Sequence, residues 1–407
     1  MPPEAAALHA GLTAGATAEG ARPLRVLMVL ESDFNPKGGG GAESQLRTLA
    51  THLRRIGQQV TVLTPLLARG PQVTAQRYGG IPVGRLRYPR VPKVGGVIMS
   101  ARFAAFLLGR GRRYDAWHVH IGHHLGAVTC LLGSLLGKPV VVKISGWWEL
   151  EQGVMAPGKK KLLDRVAQRW LKRAGTVQAI STRIAGELAR QGFPAERILV
   201  LPNAVDTARF KVRAAPRAAG APFTAVFVGR LVPEKELGTL LDAWAQAFAG
   251  RDDVRLRIVG GGPLAEPLRA QAERLGIARQ VELLGPRERV EEVLAEADVG
   301  VLPSRIEGLS NTLLEFMATG LPTLASQVSG SEDFVVTGKN GWLFPVGDAG
   351  ALAAGLREAA ALPPERLAAI GRQARADVEA AASLEIVVGR LLALYRGARP
   401  AELRKAG

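Results

Sequence analysis

The chain has 407 residues, of which 47% are hydrophobic and 22% are charged. This length predicts two or three domains, and the composition excludes a fully disordered or collagen-like protein. The single cysteine, Cys130, excludes a disulfide framework and a metal site built from several cysteines. Lysine and arginine outnumber aspartate and glutamate by 53 to 36, a formal net charge of +17, so nucleic acid, a membrane surface and an anionic substrate are all candidate partners.

The excess positive charge lies in the first half of the chain. Residues 1–210 contain 29 basic and 12 acidic side chains, whereas the remaining residues contain 24 of each. Because the two halves differ in electrostatics, we expect two domains with different partners.

The first 21 residues are rich in alanine and glycine. They lack the basic start and the continuous apolar stretch of a secretory signal, so we expect a disordered tail at 1–21. No uncharged apolar stretch reaches the roughly 18 residues that span a bilayer. We therefore expect a cytoplasmic protein, with the inner face of the membrane as an additional, peripheral location.

The first half alternates between short apolar runs and helical spacing. A strand is predicted at 24–30, followed by the glycine run 38–41, a helix at 42–56 and a strand at 60–64. Further strands are predicted at 117–121, 140–144, 176–180 and 198–201. This alternation predicts a doubly wound α/β domain over 22–205.

The pattern stops in the linker-like segment 203–222 and then restarts. Strands are predicted at 224–228, 255–259, 281–284, 299–302 and 323–325, and helices at 236–248, 264–275, 289–296 and 312–319. A second α/β domain is therefore predicted over 206–382. Ligands of such sheets bind beyond the carboxyl ends of the strands, so we expect both domains to direct their loops at a central cleft.

The glycine run 38–41 lies between a strand and a helix, where backbone amides and the positive end of the helix dipole suit a phosphate. The alternative is a loose turn without a ligand. In the second half, Arg230 and Lys235 follow a strand and suit a departing diphosphate. Their alternative is a pair of solvated surface cations.

The segment 303–315 carries two acids after a predicted strand. Ser310 or Asn311 is expected to cap the next helix, and the amides of 308–310 make a second anion site. Glu307 falls in the loop, and Glu315 lies one turn into the helix, where its carboxylate suits two ribose hydroxyls. The alternative places both acids on the surface.

Four of the six histidines, His118, His120, His123 and His124, lie within seven residues at the end of a predicted strand. Zinc is one interpretation, but the only acid nearby in sequence is Asp115 and no cysteine accompanies it. A histidine that binds or polarises a sugar is favoured. A buried structural role is the alternative for His118.

A cationic amphipathic helix is predicted after residue 158. Basic side chains at 159–161, 165, 169, 172 and 173 are interspersed with Leu162, Leu163, Val166, Trp170 and Leu171. This pattern is typical of contact with an anionic membrane surface. The alternative is a solvated helix face that packs on its own sheet.

These segments together resemble glycosyltransferase family 4, whose members are retaining enzymes of the GT-B fold with two Rossmann-like domains. The resemblance covers residues 24 to about 397. Its blocks are GGGGAE at 38–43, LPNAVDTARF at 201–210, VGRLVPEKEL at 228–237, IVGGGPL at 258–264, EGLSNTLLEFMATGLP at 307–322 and VVTGKNGWLFPVGD at 335–348. The fifth block contains the E-x7-E spacing, from Glu307 to Glu315.

The resemblance implies roles for particular residues. It implies catalytic roles for Glu307, His120, Arg230 and Lys235. It implies donor binding by Gly39, Gly40, Arg230, Lys235, Glu307, Gly308, Leu309, Ser310 and Glu315. It also implies that a C-terminal helix, within 383–407, crosses back to the first domain. One departure is Ser145, which stands where many members have histidine.

The implied reaction moves a sugar from a nucleotide-diphosphate donor to a hydroxyl acceptor, a lipid-linked or cell-envelope glycan, with retention of configuration. No D-x-D motif is present, and the family resemblance implies transfer without a metal or other cofactor. Two alternatives are a nucleotide-sugar epimerase of the same architecture and a basic nucleic-acid-binding protein. Nucleic acid is not expected, because no recognised binding module is visible.

Overall fold

The computed structural model describes residues 22–404, except 33, 35–39, 68–72, 90, 92–93, 157, 159–160, 214–216 and 219. The predicted tail, Gly39 and two lysines of the basic segment lie outside the described residues. The chain divides into two compact units. One unit runs to Ala204 and resumes at Leu384, and the other is Val205–Ser383. The predicted boundaries, after 205 and after 382, differ from these by one residue.

The first unit is built on an eight-stranded sheet with the order β3-β4-β2-β1-β5-β6-β7-β8. Every pairing is parallel except that of β3 with β4. The strands are β1 Arg25–Val29, β2 Gln59–Pro65, β3 Ala75–Tyr78, β4 Ile81–Leu86, β5 Ala116–Val119, β6 Val140–Ile144, β7 Thr176–Ala179 and β8 Ile198–Val200. The central strands are buried on both faces because helices cover the sheet, which explains their continuous apolar runs.

The helices of this unit are Gly41–Arg55, Gly95–Leu108, His124–Leu136, Trp148–Glu151, Leu162–Leu171, Thr182–Arg190, Leu384–Tyr395 and Pro400–Arg404. The helix Leu384–Tyr395 belongs to this unit although it follows the second unit in sequence. Its buried side chains, among them Leu391 and Tyr395, join a core that also contains Met28 and Leu46. Among the described residues, no helix has both the length and the apolar character needed to cross a bilayer.

The second unit is built on a six-stranded parallel sheet with the order β11-β10-β9-β12-β13-β14. Its strands are β9 Phe223–Val228, β10 Val254–Val259, β11 Val281–Gly285, β12 Val299–Leu302, β13 Thr323–Ser326 and β14 Gly341–Phe344. Its helices are Leu237–Phe248, Ala265–Arg274, Val290–Ala295, Asn311–Ala318, Ser331–Phe334, Ala349–Ala361 and Pro364–Ala382. Two Rossmann-like α/β units confirm the predicted fold class.

Both sheets have a point where the strand order changes direction. In the first sheet this point lies between β1 and β5, and in the second it lies between β9 and β12. Loops beyond the carboxyl ends of such strand pairs form the usual ligand site of doubly wound sheets. The loops after β1, β5, β9 and β12 are therefore the places to look for function.

Candidate functional site

The loop after β9 is held against the loop after β10. The amide of Gly229 donates to the carbonyl of Val259 at 2.9 Å, and the amide of Leu231 donates to the carbonyl of Gly261 at 3.0 Å. A Cβ at Gly260, where φ is +145°, would lie 1.7 Å from the carbonyl oxygen of Gly229. The glycines of the second loop therefore permit a backbone contact that fixes the first loop at the edge of the sheet.

Arg230 lies in this fixed loop, immediately beyond the strand. Its side chain is exposed, and no hydrogen bond or ion pair joins it to any other described residue. A guanidinium held on a rigid loop without an acidic partner is available to bind an anion.

Lys235 ends the single helical turn Pro233–Lys235, which precedes the helix Leu237–Phe248. The residue between them, Glu236, has a φ of +50°. The loop after β12 is tied to this turn, because the amide of Arg305 donates to the carbonyl of Glu234 at 2.9 Å and its guanidinium lies 3.5 Å from Glu236 Oε1. The loops after β9 and β12 therefore form one connected edge.

Glu307 connects the two loops through a charged pair. Its Oε1 contacts Lys235 Nζ and accepts a hydrogen bond of 3.2 Å from the hydroxyl of Ser304. The side chains of Lys235 and Glu307 are only 18% and 17% exposed. Glu307 is therefore not the exposed surface charge of the alternative interpretation. The pair holds the ammonium at the switch point of the second sheet.

Gly308, Leu309 and Ser310 are buried and lead directly into the helix Asn311–Ala318. Gly308 packs against the backbone of Gly330, where a Cβ would lie 2.5 Å from the carbonyl oxygen of Gly308. Ser310 occupies the N-cap position without a capping hydrogen bond from its hydroxyl. Helix N-termini favour anions in general, and the anion site at this segment stays a prediction.

Glu315 lies on the same helix and is partly buried. Burial raises the pKa of its carboxyl to about 7, although nearby Arg209 lowers the pKa and Glu291 raises it further. Arg209 is bound to Glu291 through Nε and a terminal nitrogen at 3.2 and 2.7 Å. The Glu315 carboxyl makes no hydrogen bond with another residue that the structure describes, so its oxygens are unused within the protein.

His120 follows β5 in the first unit and is fully buried. Its ring stacks on His118 with the centroids 4.2 Å apart, and neither ring nitrogen has a hydrogen-bond partner among the described residues. His118 Nδ1 lies 2.7 Å from the hydroxyl of Tyr395. Burial lowers the pKa of His118 to about 3 and that of His120 well below its ordinary value, so both rings are neutral. His118 is thus a buried histidine, as the alternative interpretation proposed.

Lys143 is an unexpected buried charge beside these histidines. It lies on β6, is 1% exposed, and its Nζ has no hydrogen-bond partner among the described residues. Burial lowers the pKa of Lys143 to about 7 and raises that of Glu149 to about 7. Glu149 accepts from the amides of Gly122 and Ser145 at 2.7 and 2.5 Å. Two ionisable groups with shifted pKa values, the Lys143 amine and the Glu149 carboxyl, thus lie near the carboxyl end of β6.

The hydroxyl of Ser145, the residue for which the resemblance implied histidine, donates to the backbone carbonyl of His120. Gly40 is the N-cap of the helix Gly41–Arg55. Glu43 lies over that helix start, because a Cβ at Gly40 would be 2.9 Å from Glu43 Oε2. Gly39, the other predicted glycine, lies outside the described residues.

The basic amphipathic segment forms the helix Leu162–Leu171. Leu162 and Leu163 are 69% and 59% exposed, and Arg165 and Arg169 beside them are exposed as well. Apolar and cationic side chains therefore reach solvent together on this helix.

Three contributors were not predicted from the sequence. Arg209 lies within the block 201–210, and Ser304 and Arg305 lie within the segment 303–315, but the sequence pattern assigned no role to any of the three. The acids that face Arg209 and Arg305 lie 69 to 106 residues away in the chain, whereas Glu307 lies three residues from Ser304. The available signal for Arg209 was its position beside Asp206 in a recognised block.

Two family descriptions match this chain. Residues 40–204 match the family described as "Glycosyl transferase 4-like domain", and residues 222–361 match "Glycosyl transferases group 1". A putative colanic acid biosynthesis glycosyltransferase, WcaL of Salmonella typhimurium, is 35% identical over 219 residues, which is 52% of this chain and 54% of the relative. This match therefore spans about half the length of the curated relative.

A longer match is a 2-deoxystreptamine N-acetyl-D-glucosaminyltransferase of Streptomyces fradiae, 30% identical over 77% of this chain and 80% of the relative. Among solved structures, Anabaena Alr3699/HepE in complex with UDP has a TM-score of 0.71, with 21% identity over 91% of this chain and 98% of that one. This likeness shows the fold. On the two family matches and the longer relative, the chain belongs to the glycosyltransferases of the GT-B fold.

Proposed function

We propose that the protein transfers a sugar from a nucleotide-diphosphate donor to a hydroxyl acceptor with retention of configuration. The observation that carries the proposal is the cationic edge of the second sheet. Arg230 is exposed there and has no ionic partner among the described residues, and Lys235 in the same loop is held by Glu307. The names of the relatives support the activity, and the resemblance to family 4 supports the retaining outcome.

The proposed chemistry depends on stabilising the leaving group. The bond from the anomeric carbon to the diphosphate breaks, the acceptor oxygen bonds to that carbon on the same face, and the hydroxyl proton passes to the departing phosphate oxygen. Negative charge accumulates on the diphosphate, where Arg230, Lys235 and the amides of 308–310 oppose it. The donor site is proposed to need no metal, because these groups supply the positive charge.

The remaining donor contacts follow from the unused oxygens of the second unit. Glu315 is proposed to accept hydrogen bonds from two ribose hydroxyls, since its carboxyl has no protein partner among the described residues. Glu307 is proposed to contact the donor sugar while it holds Lys235. His120 is proposed to assist on the sugar side. Its ring is fully buried in this structure, so that role requires the ring to become accessible.

The experiment is a panel of UDP-, GDP- and ADP-sugars, screened by thermal shift and then by product analysis. We expect one nucleotide sugar to raise the melting temperature and to be consumed with release of the nucleoside diphosphate. Arg230→Ala should abolish the shift, and Arg269→Ala, an exposed arginine of the same unit, should preserve it. An epimerised donor without transfer, or no response to any nucleotide sugar, contradicts the proposal.

The acceptor is proposed to be a lipid-linked or cell-envelope glycan reached at the inner face of the membrane by a cytoplasmic protein. The name of the WcaL relative supports a polysaccharide acceptor. The name of the Streptomyces relative gives a different acceptor, 2-deoxystreptamine. The exposed Leu162 and Leu163 beside Arg165 and Arg169 support the membrane contact.

Sedimentation with anionic vesicles at low salt tests this contact. The wild-type protein should sediment with the vesicles, and the double variant Leu162→Ser/Leu163→Ser should stay in the supernatant. Leu135→Ser is the matched control, because Leu135 is 67% exposed on a different helix. Absence of wild-type binding, or equal loss in the control, counts against a specific membrane surface.

A further inference from the structure

We propose that the protein binds one divalent transition-metal ion through Glu31, His123 and His124, and zinc is the probe we choose. One oxygen or nitrogen from each of these side chains lies within 4.8 Å of the other two. This inference concerns the first unit alone, and it stands independently of the proposed sugar transfer.

The three side chains lie close enough together for one ion to bind all of them. Glu31 Oε1 lies 3.1 Å from His123 Nδ1, which lies 3.0 Å from His124 Nδ1. Zinc binds nitrogen and carboxylate oxygen at about 2.0–2.2 Å, so two ligands of a tetrahedral ion are about 3.3–3.6 Å apart, and these side chains need to separate by only a few tenths of an ångström to reach that spacing. Two facing ring nitrogens also share only one proton, whereas an ion between them uses both lone pairs.

The second observation is that two of the atoms on the far side of the proposed ligands, one on His124 and one on Glu31, already have partners. His124 Nε2 lies 3.2 Å from Asp164 Oδ1, and Glu31 Oε2 accepts from the amide of Leu125 at 2.7 Å. A carboxylate on the far nitrogen of a histidine, and a hydrogen bond on the second oxygen of a ligating carboxylate, are the usual outer contacts of metal ligands.

The place in the fold also suits a binding site. Glu31 follows β1 and His123 follows β5, so the cluster flanks the switch point of the first sheet. Glu31, His123 and His124 are 12%, 31% and 35% exposed, which leaves an approach from solvent. Two imidazoles and one carboxylate favour zinc over magnesium or calcium and leave one coordination position for water or a substrate oxygen.

The sequence alone argued against this site because Asp115 was the only acid near the histidines. Asp115 is instead bound to Arg22 and Arg25. The acids that reach the histidines are Glu31, 92 residues from His123, and Asp164, 40 residues from His124.

The test is metal analysis of the purified full chain, stripped with EDTA, dialysed against zinc and measured by mass spectrometry. We expect about one zinc per wild-type chain and less than about 0.2 in His123→Ala and in His124→Ala. Asp164→Asn should bind zinc about 10–100-fold more weakly, because it loses only the outer contact. His52→Gln, a histidine of the helix Gly41–Arg55, should retain the full stoichiometry.

A cobalt-loaded sample gives a readout independent of zinc counting. Tetrahedral coordination should produce visible d–d absorption in the wild type that is absent in Glu31→Gln, a variant that preserves the shape of the side chain. Circular dichroism establishes that each variant is folded. A folded wild-type protein that retains no zinc, or zinc binding that survives replacement of both histidines, overturns the proposal.

Discussion

Lys235 has the most direct chemical task at the scale of single residues. Its ammonium is oriented by Glu307 at the edge of the second sheet, where the leaving diphosphate is proposed to bind. We expect Lys235→Ala to lower kcat by about 10²–10³-fold, the usual effect of removing one group that stabilises developing charge. The free energy of unfolding should fall by about 1–3 kcal/mol, because the mostly buried Glu307 loses its cationic partner.

Steady-state kinetics and urea unfolding of the same samples check this expectation. Lys339→Ala is the matched control, since Lys339 is also a lysine of the second unit that pairs with an acid, Asp377. Turnover like that of the wild type in a folded Lys235→Ala protein would remove Lys235 from the proposed mechanism.

Glu315 predicts a pH dependence of stability. Burial raises the pKa of its carboxyl from 4.5 to about 7, so the folded protein keeps a proton that the unfolded chain releases over this range. The free energy of unfolding therefore falls as the pH rises from about 4.5 to about 7, and the loss persists above that range. Glu315→Gln should match the wild type below this range and exceed its stability by about 1–2 kcal/mol at pH 8.

Urea unfolding at pH 4.5, 6 and 8 measures the difference. Glu292→Gln, at a position 60% exposed, provides a neutral substitution without burial. A stability difference for Glu315→Gln that is independent of pH would contradict the raised pKa.

At the scale of elements, the two loops at the edge of the second sheet depend on glycine. A Cβ at Gly260 would overlap the carbonyl oxygen of Gly229, so Gly260→Ala must separate the loop of Arg230 from its neighbour. We expect this change to lower the free energy of unfolding by about 2–4 kcal/mol and to weaken nucleotide binding. Gly276→Ala should cost only about 1 kcal/mol, because Gly276 has φ +70° but nothing within 4 Å of an added Cβ.

Thermal and chemical unfolding, together with nucleotide titration, separate the two variants. Equal destabilisation would mean that backbone conformation, rather than the contact between the loops, explains the cost at Gly260.

The elements themselves were largely predictable because buried parallel strands are continuous apolar runs. β6 was predicted with its observed limits, 140–144, and most other strands within one or two residues. β3 and β4 were missed, since Arg77 and Gly79 interrupt the apolar pattern of this hairpin. β14 was not predicted as a separate strand, because it has only four residues and lies inside the block 335–348. The four histidines do not lie together in the structure. His118 and His120 enter the core, whereas His123 and His124 face Glu31. Such a long-range contact leaves no periodic signal in the sequence.

At the scale of the whole molecule, the two units differ in what their charges do. The excess of positive charge belongs to the first 210 residues, and part of it lies on the exposed helix Leu162–Leu171. In the second unit, 23 acidic side chains slightly outnumber 20 basic ones, and several basic side chains are bound to acids, as Arg209 is to Glu291. Arg230 differs from them, because it is exposed and no acid among the residues that the structure describes pairs with it.

The whole molecule also depends on the return of its C-terminal helix to the first unit. Leu391 is fully buried in the core of that unit, and Tyr395 from the same helix contacts His118. We expect Leu391→Ala to lower the free energy of unfolding of the first unit by about 2–5 kcal/mol, through lost burial and a residual cavity. Hydrogen exchange read by mass spectrometry should show faster exchange in β1 and β2 and unchanged exchange in β9 and β10. Glu385→Ala, an exposed position of the same helix, should leave both units protected. Equal deprotection of both units would show that they unfold together and that the helix stabilises the chain as a whole.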